Sequence, residues 1–361
     1  MRVLLLSTLK RRIGPDIFAS RSRIIYELAE GLAKREHSVS LLGTGDSYVP
    51  GAQIIPVIEK GWVDLPSPEN EFIRDVASLQ KMGEMLISLQ DKFDIVHNHA
   101  YPDPFASVYE GKLQIPLVTT LHALYSDYLD ELLSFYPKTN FIALSQGYKK
   151  LYKKAKIYSV VYNGVNTKVY KYQGKKKDYL FWLGRLARGR GADRKFLDQK
   201  GVRWAIELAE SSGTQLYLAG PCEDPLFFEE EVKPHISEKI QWVGDISSEQ
   251  SLPVEKIISL MQGAKAFLMT VNQDEPFGLV MAEAMACGTP VIAFNRGAVS
   301  EIVIDGKTGF VVDPQEGVEG LKKALEKIDN IERNACRKHI EENFTVDKMV
   351  DNYEKLYKQL I

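Results

Sequence analysis

Residues 272–294 read NQDEPFGLVMAEAMACGTPVIAF, two glutamates around a short apolar run that closes on a Cys-Gly-Thr-Pro turn and a strand-like PVIAF. Pro276 suits an early helical position and Gly278 permits close backbone approach, so a helix is expected to begin around 277–279. Glu275 then stands just outside that helix and Glu283 about two turns inside it. A helix N-terminus presents unpaired N–H groups and a partial positive charge, which makes it an anion site. A carboxylate on each side suits a ligand built as polyol, phosphate, polyol: each Glu accepts from neighbouring hydroxyls while the amides hold the phosphate. A nucleotide sugar has that layout. On spacing alone the plainer reading leads, a surface helix with a capping glutamate and an unrelated second one.

Working outward, apolar runs of strand length alternate with helix-period segments along the chain, the pattern of a doubly wound parallel sheet. RVLLLST (2–8) leads into SRSRIIYELAEGLAKREH (20–37), where Ile24, Ile25, Leu28, Leu32 and Ala33 fall near an i, i+3, i+4 stripe. Strands follow at 38–45, 52–58, 94–100, 116–122, 140–145 and 158–165, with a helix over 72–93. Residues 163–178, NGVNTKVYKYQGKKKD, are polar, lysine-rich and without apolar period, and read as a linker with an Asn163-Gly164 turn at its start. The pattern then restarts with YLFWLGR (179–185) and runs through strands at 215–220, 240–245, 266–271, 290–294 and 309–312. The predicted fold is α/β: two Rossmann-like doubly wound domains, 1–166 and 167–345, facing a central cleft where the strands' C-terminal ends meet a ligand.

The 361-residue length also favours two domains over one. Net charge is −2, from 46 basic and 48 acidic residues, so no global field recruits nucleic acid. Cys222, Cys287 and Cys336 are too widely spaced for a disulfide framework or a zinc site. The apolar VLLL near the start is too short for a signal h-region or a membrane span, so the expectation is a soluble cytoplasmic protein. Peripheral membrane contact stays open, and the oligomeric state is unknown.

Context reverses the plainer reading of the opening stretch. EPFGLVMAEAMACGTPVIA resembles the E-x7-E signature of retaining glycosyltransferases of family 4, which adopt the GT-B fold. YELAEGLAKREHSVSLLGTGDS, FDIVHNH, LVTTLH, VYNGVN, WLGRL, GAVSEIVIDGKTGFVV and MVDNYEKLY stand in that family's order. The resemblance implies that Glu275 holds hydroxyls of the transferred sugar and that Glu283 binds the ribose hydroxyls of the donor. Backbone groups at Phe277, Gly278 and Leu279 would meet sugar and diphosphate. Gly184-Arg185 looks like the pyrophosphate clamp, with Lys200 before Gly201 as its partner. His122 matches a histidine that faces the transferred sugar, and helix 346–361 would cross back to the first domain. The implied donor is a UDP-sugar, with GDP-mannose next, and the acceptor a hydroxyl of a saccharide, a lipid-linked sugar or a small metabolite. No cofactor or metal is expected, because two basic side chains and a helix N-terminus supply the charge that a departing nucleoside diphosphate requires. His97 and His99 are expected to face opposite sides of their extended segment, which argues against a metal pair.

Two stretches depart from the family pattern. Residues 8–23, TLKRRIGPDIFASRSR, hold only Gly14 where a Gly-Gly pair is usual, and Arg11, Arg12, Arg21 and Arg23 make the loop basic, suited to an anionic acceptor. Residues 186–201 are longer than usual and rich in glycine and arginine, which leaves Lys195 competing with Lys200 for the diphosphate. The alternatives are a phosphorylase or epimerase on the same plan, and a nucleotide-sugar binding protein that has lost transfer.

Overall fold

The computed structural model describes residues 1–186, 188–191, 193–247 and 252–361. The chain divides into two units, Met1–Gly164 with Val346–Ile361, and Val165–Thr345. The first holds seven parallel strands: β1 (Arg2–Leu6), β2 (Ser38–Thr44), β3 (Ala52–Ile58), β4 (Ile95–Asn98), β5 (Leu117–Thr120), β6 (Asn140–Ala143) and β7 (Ile157–Val160). Their order is β3-β2-β1-β4-β5-β6-β7. The chain builds outward from β1 on one side, then returns to lay β4 on the other. That reversal point, at the C-terminal ends of β1 and β4, is where doubly wound sheets bind ligands.

Val3, Leu4, Leu5 and Leu6 of β1 are all fully buried, as a strand covered by helices on both faces must be. Helix Ser20–Ala33 buries Ile24, Ile25, Leu28 and Leu32, while Ala33 is half-buried. Helix Val346–Leu360 packs in this unit against Ser20–Ala33. A Cβ on Gly31 would come within 2.5 Å of Val350 Cγ2, so glycine sets the closeness of that crossing. Arg35 ties the two by ion pairs to Asp351 at 2.7 Å and Glu354 at 3.3 Å.

The second unit repeats the plan with β8 (Tyr179–Leu183), β9 (Gln215–Ala219), β10 (Ile240–Trp242), β11 (Ala266–Met269), β12 (Val291–Phe294) and β13 (Gly309–Val312), all parallel. The order is β10-β9-β8-β11-β12-β13, with the reversal between β8 and β11. Gly184-Arg185 follows β8 directly, and residues 270–278 follow β11, so both candidate stretches leave the sheet at this reversal.

The lysine-rich segment predicted as a linker is fastened to the second unit. Arg337 donates to the carbonyls of Tyr170 (2.6 Å) and Thr167 (3.0 Å), and Arg333 donates to that of Gln173 (3.0 Å). Two arginines on helix Arg333–Asn343 thus satisfy backbone acceptors that the segment's composition leaves without a ladder. No helix among the described residues is long and apolar enough to cross a membrane.

Candidate functional site

The helix expected to begin at 277–279 runs Leu279–Ala286 and is buried on nearly every side. Its N-cap is Gly278 at φ +80°, ψ +57°, a left-handed conformation that glycine adopts without strain. Glycine offers no side-chain cap, so among the described residues the first two amides of the helix are left for another acceptor, while Met281 N donates to the Gly278 carbonyl at 3.0 Å. Glu275 stands before it and Glu283, 3% exposed, lies within it. Phe277 is buried edge-on against Phe344, with ring centroids 5.9 Å apart, which anchors the turn between the glutamates.

Lys200 Nζ pairs with Glu275 Oε2 at 2.7 Å, both side chains part-buried. The structure therefore brings together the two groups the sequence assigned to diphosphate and sugar. A Cβ on Gly184 would lie 3.1 Å from Lys200 Cβ, so Gly184 adjoins them. Arg185 pairs instead with Glu223, at 2.9 Å, with a half-exposed side chain. Lys195 is exposed, and its neighbourhood is a small turn: Arg190 bridges Phe196 in antiparallel fashion and lies 3.6 Å over its ring. Ala187 and Ala192 of the long 186–201 segment lie outside the described residues.

What aims Lys200 and Glu275 is backbone packing that motif reading did not single out. Gly201 sits at φ +71°, where a Cβ would fall 1.6 Å from the Thr270 carbonyl oxygen, and Thr270 Oγ1 donates to the Gly201 carbonyl at 2.7 Å. Asn272 donates to the Asp198 carbonyl at 2.6 Å and accepts from Trp204 Nε1 at 2.9 Å. Asp198 caps the helix after Lys200 by accepting from the amides of Val202 and Arg203, both at 2.9 Å; burial raises its pKa, against the lowering pull of those amides. Behind Glu275, Gly297 at φ +59° leaves no room for a Cβ, which would come within 2.3 Å of the Glu275 carbonyl oxygen. Ala298 N donates to that oxygen at 2.9 Å. A sequence signal existed: Gly201 follows Lys200, and Gly297 stands in the quoted GAVSEIV run.

In the first unit, His122 follows β5 and its Nε2 lies 2.9 Å from His99 Nδ1. His99 Nε2 lies 3.2 Å from His97 Nδ1, which also meets Tyr357 Oη at 2.6 Å. His97 Nε2 meets Thr120 Oγ1 at 2.7 Å, and that hydroxyl meets Tyr353 Oη at 2.8 Å. The expectation that His97 and His99 diverge is overturned: their ring centroids are 3.9 Å apart. Residues two apart on an extended segment share a face, and only neighbours alternate. The rings bond to one another in series instead of converging on a point. Burial is the main cause that holds all three neutral: it pushes His99 down to about 3, with the Arg21 charge adding to it, and lowers His97 and His122 well below the usual range.

Two of the four arginines of the basic loop 8–23 meet carboxylates. Arg21 forms a 2.9 Å ion pair with buried Asp103 and donates to the Ala100 carbonyl at 2.9 Å, while Arg12 pairs with Asp16. Each of these two cations thus meets its own carboxylate, and Arg21 is built into the unit.

Comparison with known proteins agrees with this architecture. The family described as glycosyl transferases group 1 matches residues 194–344, and glycosyltransferase family 4 matches residues 22–169. An uncharacterised glycosyltransferase of Methanocaldococcus jannaschii is 30% identical over 78% of this chain and 79% of its own. The N-acetyl-alpha-D-glucosaminyl L-malate synthase of Bacillus anthracis is 25% identical over 93% of this chain and 92% of its own. Among solved structures, sucrose-phosphate synthase from Thermosynechococcus elongatus superposes with a TM-score of 0.75 at 20% identity, covering 100% of this chain and 99% of that one. With two parallel-sheet Rossmann-like domains and matches to both halves, the chain belongs to the group 1, family 4-type glycosyltransferases of GT-B fold.

Proposed function

We propose that this glycosyltransferase moves a hexosyl group, with retention of anomeric configuration, from a nucleotide-diphosphate sugar to a hydroxyl acceptor. UDP-sugars come first and GDP-mannose next; the acceptor is a saccharide, a lipid-linked sugar or a small metabolite. The observation that carries the reading is the Lys200–Glu275 pair at the uncapped start of helix Leu279–Ala286. In the ligand-free protein the ammonium and carboxylate satisfy each other. A bound donor offers each a replacement: phosphate oxygens for Lys200 and sugar hydroxyls for Glu275. The first amides of the helix and Arg185, after exchanging Glu223 for the ligand, add positive charge where the leaving diphosphate gains negative charge. This role asks for no metal or other cofactor. Glu283 is assigned to the ribose, and His122 of the first unit to the transferred sugar. Lys200 is preferred to Lys195 because it already touches Glu275.

The test is a thermal-shift screen against UDP-, GDP- and ADP-sugars, in which a donor at a hundred times its Kd adds about 2.7 kcal/mol of stability. One nucleotide series is expected to raise the Tm, and the positive donor then to yield a retained glycoside. No shift with any sugar nucleotide sinks the reading. The alternative of a binding protein without transfer is not favoured, since the relatives that align along most of the chain are named as glycosyltransferase and synthase. Donor binding without cleavage is its signature in the same experiment.

A further inference from the structure

Helix Asp127–Ser134, between β5 and β6, is apolar on two faces, and only one of them is covered. Leu133 is buried, and Leu129 and Tyr136 pack with it onto a cluster around Phe141, Tyr148 and Tyr152. Turned away from that cluster, Tyr128, Leu132 and Phe135 recur at i, i+4 and i+7 and so form one stripe. These three side chains belong to residues that are 88%, 40% and 66% exposed.

The run KKLYKKAK (149–156), five lysines in eight residues, flanks the stripe. Tyr148, Tyr152 and Ala155 anchor the run in the same cluster, which leaves Lys150, Lys153, Lys154 and Lys156 exposed. Its place against the helix is fixed by the buried Asp130 carboxylate, which accepts from the amides of Lys153 (2.8 Å), Lys154 (3.0 Å) and Ala155 (2.8 Å). The Lys154 ammonium then meets Glu131 at 2.7 Å. Around the helix Asp130, Glu131 and the stripe follow one another, so the lysines border one of its edges. From 124 to 158 six lysines stand against three acids, Asp127, Asp130 and Glu131, a local charge of +3 in a chain whose net charge is −2.

We propose that this face docks the chain onto an anionic lipid surface, with Tyr128, Leu132 and Phe135 set among the headgroups and the 149–156 lysines over the negative charge. Three apolar side chains fall far short of the ~800 Å² per partner that a stable protein interface takes, whereas a lipid surface demands no matching shape and takes a few anchors. Aromatic rings, one with a phenol tip, suit the headgroup level. A second copy meeting this face about a two-fold axis would set two patches of like charge against each other. The cations of the patch are all lysine, point charges on flexible stems, which suit a diffuse negative surface better than the forked pairing that arginine gives a specific site.

The test is flotation of the full chain with vesicles of phosphatidylcholine, alone and with about a third phosphatidylglycerol. The anionic vesicles are expected to carry the protein at about 0.1 M salt and release it at about 1 M, where charges are screened within about 3 Å; the neutral vesicles should carry none. Lys150→Gln with Lys153→Gln should weaken binding about thirtyfold, roughly fivefold for each charge, and Tyr128→Ser with Phe135→Ser about tenfold. Neither pair should move the Tm, since all four residues are exposed. No binding to anionic vesicles, or equal binding to both kinds, overturns the proposal. So does lipid binding that either pair of changes leaves intact, because the contact then lies elsewhere on the chain or is one of charge alone. A lipid-free dimer that Tyr128→Ser with Phe135→Ser dissolves overturns it too, by showing the stripe covered by a second copy. The readout uses no sugar nucleotide, so it stands or falls apart from the proposed function.

Discussion

The two units share a parallel-sheet plan but build their polar centres from different chemistry. In the first, neutral rings and hydroxyls from β4, β5 and the C-terminal helix bond in series, His122 to His99 to His97 to Tyr357 and Thr120. In the second, charged groups are brought to a backbone made compact by glycine: Lys200 to Glu275 between Gly201 and Gly297. The difference teaches what each centre responds to. A neutral buried row is sensitive to protons, because charging any member costs desolvation. A half-buried ion pair at an open helix start is sensitive to an anionic ligand that competes for its members.

The largest expected effect tests the first half of that contrast. His97 and His99 have lowered folded-state pKa values, chiefly through burial, against 6.5 unfolded. Below pH 6.5 the unfolded chain binds more protons than the folded one, so stability falls as pH drops; above it these two groups add no slope. Between pH 6.5 and 5 His99, held at about 3, should cost about 1.6 kcal/mol, and His97 should add to the loss in the same direction, read as a lower urea midpoint. A double His97→Gln, His99→Gln variant should reduce that slope while His122 still contributes to it, and an unchanged slope breaks the comparison. Next, Gly201→Ala drives a Cβ into the Thr270 carbonyl at a positive φ and should destabilise by about 3 kcal/mol or more in denaturant titration. A neutral result would mean that the backbone around Lys200 is not tightly packed.

Smaller effects sharpen the second half. Glu275→Gln should keep donor binding yet reduce turnover about a hundredfold, close to 2.7 kcal/mol in the transition state, with Tm little changed. Retained turnover would move the sugar-gripping role elsewhere. Least affected should be Arg185→Ala: its side chain is half-exposed and paired with Glu223, so removal should raise the donor KM about tenfold and leave kcat near wild type. A larger effect on kcat would place Arg185 on the transition state rather than on donor binding.

Legibility in the sequence followed the same division. The strands from β1 to β13 were foreshadowed by apolar runs, most plainly the central ones such as β1, β4, β5, β11 and β12, whose burial on both faces forces a composition visible in four or five consecutive residues. The helix after Glu275 was placed within two residues because Pro276 and Gly278 mark its start. Less visible was the fastening of the 165–178 segment, whose partners Arg333 and Arg337 lie more than 150 residues away. The divergence expected of His97 and His99 failed on strand periodicity itself, which puts residues two apart on one face.

What the sequence determined alone was the alternation of elements, the two-domain organisation and the short motif that sets a glutamate before a helix. These rest on local periodicity and on backbone geometry that only particular residues allow. Tertiary structure decided which cation meets Glu275, which arginines of the basic loop are already paired, and how Tyr353 and Tyr357 reach the histidines. Apart from the local Arg12–Asp16 pair, those contacts join groups separated by 75 to 260 positions, and no local pattern records them. They depend on the strand order reversing at each sheet centre and on the C-terminal helix packing in the first unit.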